Sequence, residues 1–137
     1  MNMLPIHSIM TTEVITVSAD TPIYEALDLL SRHRISGIPV VDQSRCVVGI
    51  LSEKDVLRIL IDRKLGILST VEDYMSRDVI CFAENDSAID ICKFFIRSNI
   101  RRVPIVRDNV LVGIVSRADI ISLILEAKNK ISNFRYV

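Results

Sequence analysis

The chain has 137 residues, enough for one compact domain or for two half-sized units that share a core. Half of the residues are hydrophobic, only 5% are aromatic and there is no Trp, so disorder is excluded and the core must be built from Ile, Val and Leu. Seventeen Lys and Arg balance seventeen Asp and Glu, which leaves no summed field to attract a nucleic-acid backbone or an anionic membrane; neither is expected as a partner.

The opening Met1 to Met10 lacks a basic segment followed by a long apolar run, and no stretch reaches the roughly 18 apolar residues of a membrane span. A cytoplasmic location is the expectation. A β-branched strand is predicted at Val14 to Val17. A helix follows, capped by Thr21 with Pro22 in its first position, and Ile23, Ala26, Leu27 and Leu30 fall at helical spacing on one face. Ile38 to Val41 and Cys46 to Leu51 read as two strands joined by the turn-rich Asp42-Gln43-Ser44-Arg45. Their near-continuous apolar character predicts cover on both faces. Another helix begins at Ser52, and Asp62 to Ser69, with Gly66, reads as a short connector.

After the connector the chain repeats itself. Met75-Ser76-Arg77-Asp78-Val79-Ile80 aligns with Met10-Thr11-Thr12-Glu13-Val14-Ile15, and Val103-Pro104-Ile105-Val106 with Ile38-Pro39-Val40-Val41. One residue is lost in the turn through Asp108-Asn109, and Gly113-Ile114-Val115-Ser116-Arg117-Ala118-Asp119-Ile120 then matches Gly49-Ile50-Leu51-Ser52-Glu53-Lys54-Asp55-Val56. The second copy therefore predicts a strand at Val79 to Phe82 and a helix capped by Asp86 with Ile89, Cys92 and Phe95 or Ile96 on its buried face. Strands at Val103 to Val106 and Leu111 to Val115 come next, then a helix from Ser116. Two repeats result, residues 1–66 and 67–137. The closing helices carry Val56, Leu57, Leu60 and Ile120, Ile121, Ile124, Leu125, more apolar surface than a small sheet can cover, which points to self-association. The tail Lys128 to Val137 has no recognisable motif.

The motif that carries chemistry is Gly-x-x-Ser-x-x-Asp, present as Gly49, Ser52, Asp55 and as Gly113, Ser116, Asp119. It falls where a strand enters a helix. The first backbone amides of a helix lack internal acceptors and the helix dipole favours an anion there, so a phosphate docks readily. Ser adds a hydroxyl, and a carboxylate one turn in can accept from both hydroxyls of a ribose. Ribose and phosphate together describe a nucleotide. The same spacing also makes an N-terminal capping box, worth about 1 kcal/mol, and the two roles can coexist.

The order of elements, their duplication and these motifs resemble a tandem CBS domain pair, also called a Bateman module, over nearly the whole chain. The resemblance implies an α/β fold of two CBS repeats, each β-α-β-β-α, packed through their sheets with pseudo-two-fold symmetry. It implies a non-enzymatic regulatory module that binds AMP, ADP or ATP in the cleft between repeats and signals by conformational or oligomeric change, as a homodimer assembled through its helices. Asp55 and Asp119 would hold ribose, and Ser52 and Ser116 would contact phosphate. Backbone near Ile15, Thr16, Ile80 and Cys81, with Ile38, Pro39, Val103 and Pro104, would form the slot for the base.

Before the Pro strand the repeats differ: His33-Arg34-Ile35-Ser36-Gly37 becomes Ser98-Asn99-Ile100-Arg101-Arg102. Guanidinium groups bind phosphate bidentately, so Arg101 and Arg102 are candidates for an oligophosphate, with Arg34 and His33 weaker equivalents; a solvated surface pair is the plainer reading. Gly37 would permit close backbone approach. Cys46, Cys81 and Cys92 read as reduced core residues, and His7 and His33 have no partner at metal spacing, so no metal site is expected. No nucleophile, base and orienter set, P-loop or dinucleotide fingerprint is present, so no enzyme and no required cofactor are expected. The alternatives are a structural or protein-interaction module without ligand, or a binder of S-adenosylmethionine or NAD. The regulated protein is not encoded in any motif.

Overall fold

The computed structural model describes residues 5–135; the outer ends of the two expected repeats, and of the tail beyond Lys128, lie outside the described residues. In chain order the elements are α1 (Ile23–His33), β1 (Gly37–Val41), β2 (Val47–Ser52), α2 (Glu53–Ile61), β3 (Phe82–Ala83), α3 (Ala88–Arg97), β4 (Arg102–Arg107), β5 (Val110–Ser116) and α4 (Arg117–Arg135). Short 3-10 turns at Ile6–Ser8 and Val71–Asp73 open the two copies. The fold is α/β with two repeats.

The folded units do not coincide with the sequence repeats. One unit gathers Ile15–Val79 with Asn109–Leu111; the other gathers Ile80–Asp108, the chain from Val112 onward and the opening residues up to Val14. Each repeat thus lends its first segment to the unit built on the other. In the second-repeat unit the Thr11 and Ile114 amides and carbonyls exchange two hydrogen bonds of 2.9 Å, and in the first-repeat unit Ser76 and Ile50 do the same at 2.9 Å. Pro5 bridges Ser87 in one unit and Thr70 bridges Pro22 in the other, so both ends of each opening segment are tied.

Within the first-repeat unit β1 and β2 pair antiparallel, Gly37 opposite Ser52 and Val40 opposite Gly49, with a bulge between Val40 and Val41. Within the other, β3 runs parallel to β4, Phe82 opposite Ile105, and β5 lies on the far side of β4. The expected opening strands are shorter than the β-branched runs suggest. Val14 to Val17 contributes one parallel bridge, Val17 to Val40, and Val79 to Phe82 becomes the two-residue β3. Most of these backbone amides and carbonyls therefore have no ladder partner.

The α1 face is Ile23, Ala26 and Leu30, all buried, as the spacing predicts. In α3 the buried face is Ala88, Ile91 and Phe95 with Cys92 packed beside it; of the expected face Phe95 and Cys92 face the core, while Ile89 and Ile96 are exposed. Ser87, not Asp86, is its cap: the Ser87 hydroxyl accepts from the Ile89 amide, and Asp86 turns back to accept from the Ala83 amide at 2.7 Å. Thr21 likewise serves the preceding turn, its hydroxyl accepting from the Ser18 amide, and Pro22 precedes α1 without a side-chain cap. β1 and the middle of β4 are continuously buried, but β2 and β5 alternate, so cover on both faces holds only for the inner strand of each hairpin.

Two separate cores result. Val17, Ile23, Ala26, Leu30, Ile38, Leu51 and Ile59 close on Val71 and Tyr74 in the first-repeat unit. In the second, Ala88, Ile91, Phe95, Val103, Ile105 and Val115 close on Ile6, with Met10 packed beside it.

The recurrent glycines have a steric cause in these crossings. A Cβ on Gly49 would stand 2.9 Å from both the Met75 sulfur and the Ser76 carbonyl oxygen; on Gly113 it would stand 2.7 Å from the Met10 sulfur and 3.0 Å from the Thr11 carbonyl oxygen. Gly37 has no such neighbour, its nearest contact being 3.4 Å. Gly49→Ala and Gly113→Ala should each destabilise the fold by about 1–3 kcal/mol through overpacking, while Gly37→Ala should stay within about 1 kcal/mol. Chemical denaturation of the three variants checks the ranking.

Candidate functional site

The functional reading converges on the two helix starts. Ser52 sits in extended conformation at the end of β2 and caps α2, its hydroxyl accepting from the Asp55 amide at 3.3 Å. Asp55 answers by accepting from the Ser52 amide at 2.8 Å and from the Ser52 hydroxyl at 2.9 Å, both through Oδ2. At α4 the pattern recurs: the Ser116 hydroxyl accepts from the Asp119 amide at 3.2 Å, and Asp119 Oδ2 accepts from the Ser116 amide at 2.8 Å. The capping box is thus formed in both copies. Among the described residues, each of these carboxylates bonds through one oxygen, and Oδ1 accepts nothing. All four side chains are half-buried.

A cap of this kind does not by itself imply a ligand. Thr70 and Asp73 make the same reciprocal bond at a three-residue 3-10 turn, Asp73 Oδ2 accepting from the Thr70 amide at 2.9 Å. What distinguishes Ser52 and Ser116 is their setting, each at the end of a core strand entering a helix of at least two turns.

The expected base-slot residues divide in two. Ile15, Thr16 and Cys81 are half-buried and Ile80 is exposed, so all four keep atoms accessible to solvent. Ile38, Pro39, Val103 and Pro104 are fully buried, their side chains committed to the cores. Gly37 lies opposite Ser52, so one bare backbone position faces the α2 cap. Arg102 is half-buried, and Arg34, His33 and Arg101 are exposed. Arg34 ends α1 in the left-handed region, φ 53°, where Gly or Asn is usual.

A cavity of about 710 Å³ opens in the first-repeat unit. It takes in Thr16 together with Ser18, Asp20, Glu25, Asp42 and Arg77, and neither Ser52 nor Asp55 lines it. Its volume lies in the range of small-molecule pockets, but its carboxylates outnumber its one guanidinium, which itself pairs with Glu72 at 2.9 Å. That field opposes an anion.

Arg117 is the residue that motif reading passes over. Its guanidinium donates to the carbonyls of Phe95 at 2.7 Å, Ser98 at 2.6 Å and Ile100 at 3.1 Å, and it lies 5.7 Å from the Phe95 ring centroid. Its backbone amide donates to the Arg101 carbonyl. Its counterpart is Glu53, which offers only the backbone bond, to Ser36. The one available signal was the charge reversal between aligned positions.

Among the described residues no group of three His, Cys, Asp or Glu side chains could hold a metal ion, and no helix is long and apolar enough to cross a membrane. Burial pushes the Cys81 thiol above its ordinary pKa, so at neutral pH it is protonated. Reaction of Cys81 with a disulfide reagent should therefore be slower than that of a free thiol at pH 8 and should rise at higher pH, read with Cys46→Ser and Cys92→Ser in place. A fast reaction at pH 7 would contradict this environment.

The CBS domain family model matches residues 6–62 and 71–126. The CBS domain-containing protein YhcV of Bacillus subtilis is 36% identical over 132 residues, covering 96% of this chain and 89% of that protein. The crystal structure of CBSX2 in complex with AMP superposes with a TM-score of 0.80 at 25% identity, covering 90% of this chain and 98% of that one. The CBS domain pair of protein MJ0100, in complex with 5'-methylthioadenosine and S-adenosyl-L-methionine, superposes with a TM-score of 0.76 at 31% identity, covering 90% and 97%. The chain spans only 42% of the uncharacterized protein MJ1225 and 21% of the inosine-5'-monophosphate dehydrogenase of Methanocaldococcus jannaschii, to which it is also similar.

Proposed function

This chain belongs to the CBS domain family, and from that premise we propose that it is a non-enzymatic regulatory module whose two Ser-x-x-Asp helix starts bind an adenosine-containing ligand. The observation that carries the proposal is the unused Oδ1 of Asp55 and of Asp119: each carboxylate is held by its cap through one oxygen and keeps the other for a ribose. Ser52 and Ser116 stand at the amide-rich ends of α2 and α4, where a phosphate is favoured. Ile15 and Thr16 in one unit, and Ile80 and Cys81 in the other, border the base. The AMP complex of CBSX2 and the adenosyl complexes of the MJ0100 pair support an adenosine ligand, of the AMP, ADP or ATP type or a thioether relative.

Thermal shift of the full chain against AMP, ADP, ATP, S-adenosylmethionine and NAD tests this. A ligand at about 100 times its dissociation constant stabilises by roughly 2.7 kcal/mol, which raises Tm by several degrees in a domain of this size. Asp55→Asn and Asp119→Asn keep an oxygen for the cap but lose the charge offered to ribose. A charge-assisted hydrogen bond is worth about 1.5–3 kcal/mol, so each should weaken its own site about 10- to 100-fold with little loss of stability. Unchanged binding in both variants would remove the ribose assignment.

The second reading, a scaffold in which both motifs are caps alone, is favoured by the matching geometry at Thr70 and Asp73. It predicts no thermal response to any adenosyl compound.

The module signals, on this proposal, by conformational or oligomeric change as a cytoplasmic homodimer. Each unit leaves apolar helix surface in solvent: Leu57, Leu60 and Ile61 on α2, and Ile121, Ile124 and Leu125 on α4, are all more than half exposed. A second copy of the chain would cover them. Light scattering should give a dimer at micromolar concentration, and Leu60→Glu with Ile124→Glu should give a monomer with an unchanged circular dichroism spectrum. A wild-type monomer would contradict the assembly.

A further inference from the structure

The two repeats agree wherever the fold needs them to and disagree in charge around the helix starts. Ser36, Gly37 and Glu53 of the first repeat are replaced by Arg101, Arg102 and Arg117 of the second. Those substitutions put three guanidinium groups in place of a carboxylate and two uncharged residues; Arg34 and Lys54 of the first repeat become Asn99 and Ala118, which offsets the change only in part and leaves the second surround the more cationic. On the reading above that these helix starts hold adenosyl ligands, we infer that the two sites are unequal: the α4 site selects the phosphorylated ligand, the α2 site takes an adenosyl ligand without phosphate, and Arg117 is the positioning residue that makes the difference.

The three arginines have different parts. Arg117 is already saturated, its guanidinium shared among the Phe95, Ser98 and Ile100 carbonyls at the end of α3 and lying over the Phe95 ring. The Phe95 carbonyl lies in the last turn of α3, at the negative end of the helix dipole, so a guanidinium is well placed there. The result is a segment 98–101 pinned from both sides, by the Arg117 side chain on Ser98 and Ile100 and by its backbone amide on the Arg101 carbonyl. Arg101 and Arg102 follow directly and, among the described residues, form no ion pair. Arg102 takes the place of Gly37, which lies opposite the capping serine in the first repeat. Two unpaired guanidinium groups beside a helix N-terminus fit a phosphate chain, and holding their segment still lowers the ordering cost of binding it.

The first-repeat unit is arranged otherwise. Glu53 adds a negative charge in the first turn of α2, and Gly37 leaves room for a Cβ with no contact below 3.4 Å. Oligophosphate is disfavoured there and an uncharged or sulfonium adenosyl group is not.

Calorimetric titration of the full chain with ADP and with 5'-methylthioadenosine tests the inference. ADP binding should fall about 10-fold or more in Asp119→Asn and change little in Asp55→Asn, with the reverse for 5'-methylthioadenosine. Arg117→Glu should cut ADP affinity about 10-fold while leaving 5'-methylthioadenosine within about 2-fold, and Arg117→Lys should not rescue it, because a single ammonium nitrogen does not span the carbonyls that the guanidinium reaches through Nε and Nη2. Full rescue by Lys would reduce Arg117 to a bulk charge, and equal losses for both ligands would make it merely structural; either overturns the positioning role. Should Arg117→Glu fail to fold, the Gly37→Arg, Glu53→Arg double variant provides the converse measurement: it should bring ADP to the first site, and no gain overturns the inference. A wild type that binds both ligands equally at both sites defeats the inequality alone. A wild type that binds neither defeats the ligand reading on which it rests.

Discussion

Two pairs of backbone hydrogen bonds, Thr11 with Ile114 and Ser76 with Ile50, govern the rest of this structure. Each lays the opening segment of one repeat against the glycine-bearing strand of the unit built on the other, and each works only because Gly113 and Gly49 leave no side chain in the way. The consequence reaches the cores. Ile6 is fully buried among α3 and the strands of the second repeat, and Val71 and Tyr74 are buried among α1 and the strands of the first. A single repeat would lack part of its own core, so the pair is the smallest piece that can satisfy both the backbone and the apolar surface.

The same strands lead directly into the caps. Gly49 and Gly113 lie three residues before Ser52 and Ser116, so the crossing that closes each sheet also fixes where its helix begins. On the proposed function cap and ligand roles do not compete, because the cap engages Oδ2 of each Asp. The reciprocal bonds also hold the carboxylate in one orientation before any ligand arrives. A side chain already ordered costs less entropy on binding, so the cap would prepare the carboxylate for the proposed ligand.

Much of this was legible from the residues. Internal repetition, two antiparallel hairpins and two serine-capped helices follow from apolar period and turn chemistry, and the structure places them within a residue or two of the expected bounds. The misreadings have physical causes. Ser87 and Asp86 are both competent caps, and only the turn at Ala83 decides between them by engaging Asp86. The lending of opening segments could not be read, because a bridge such as Pro5 to Ser87 joins residues with no local pattern in common. For the site, the caps were visible as a motif, and the apolar runs that predict cover on both faces already set Ile38, Pro39, Val103 and Pro104 in the core and not in an open slot. Arg117 was hidden because its partners are backbone carbonyls, which leave no trace in side-chain identity.

Comparison of the copies separates what folding requires from what it leaves free. Met10 and Met75 are identical, as are Gly113 and Gly49, and these form the crossings. The helix faces vary but compensate: Ile23, Ala26 and Leu30 become Ala88, Ile91 and Phe95, exchanging large and small at adjacent positions so that each core stays filled. Around the helix starts the compensation is only partial, Arg34 and Lys54 of the first repeat becoming Asn99 and Ala118. Ser36, Gly37 and Glu53 against Arg101, Arg102 and Arg117 change charge in one direction at three positions. Packing demands no such change, since Gly37 has room for a Cβ and Glu53 is exposed. A net gain of positive charge at one pair of caps, unforced by packing, is the divergence that the proposed pair of unequal sites calls for.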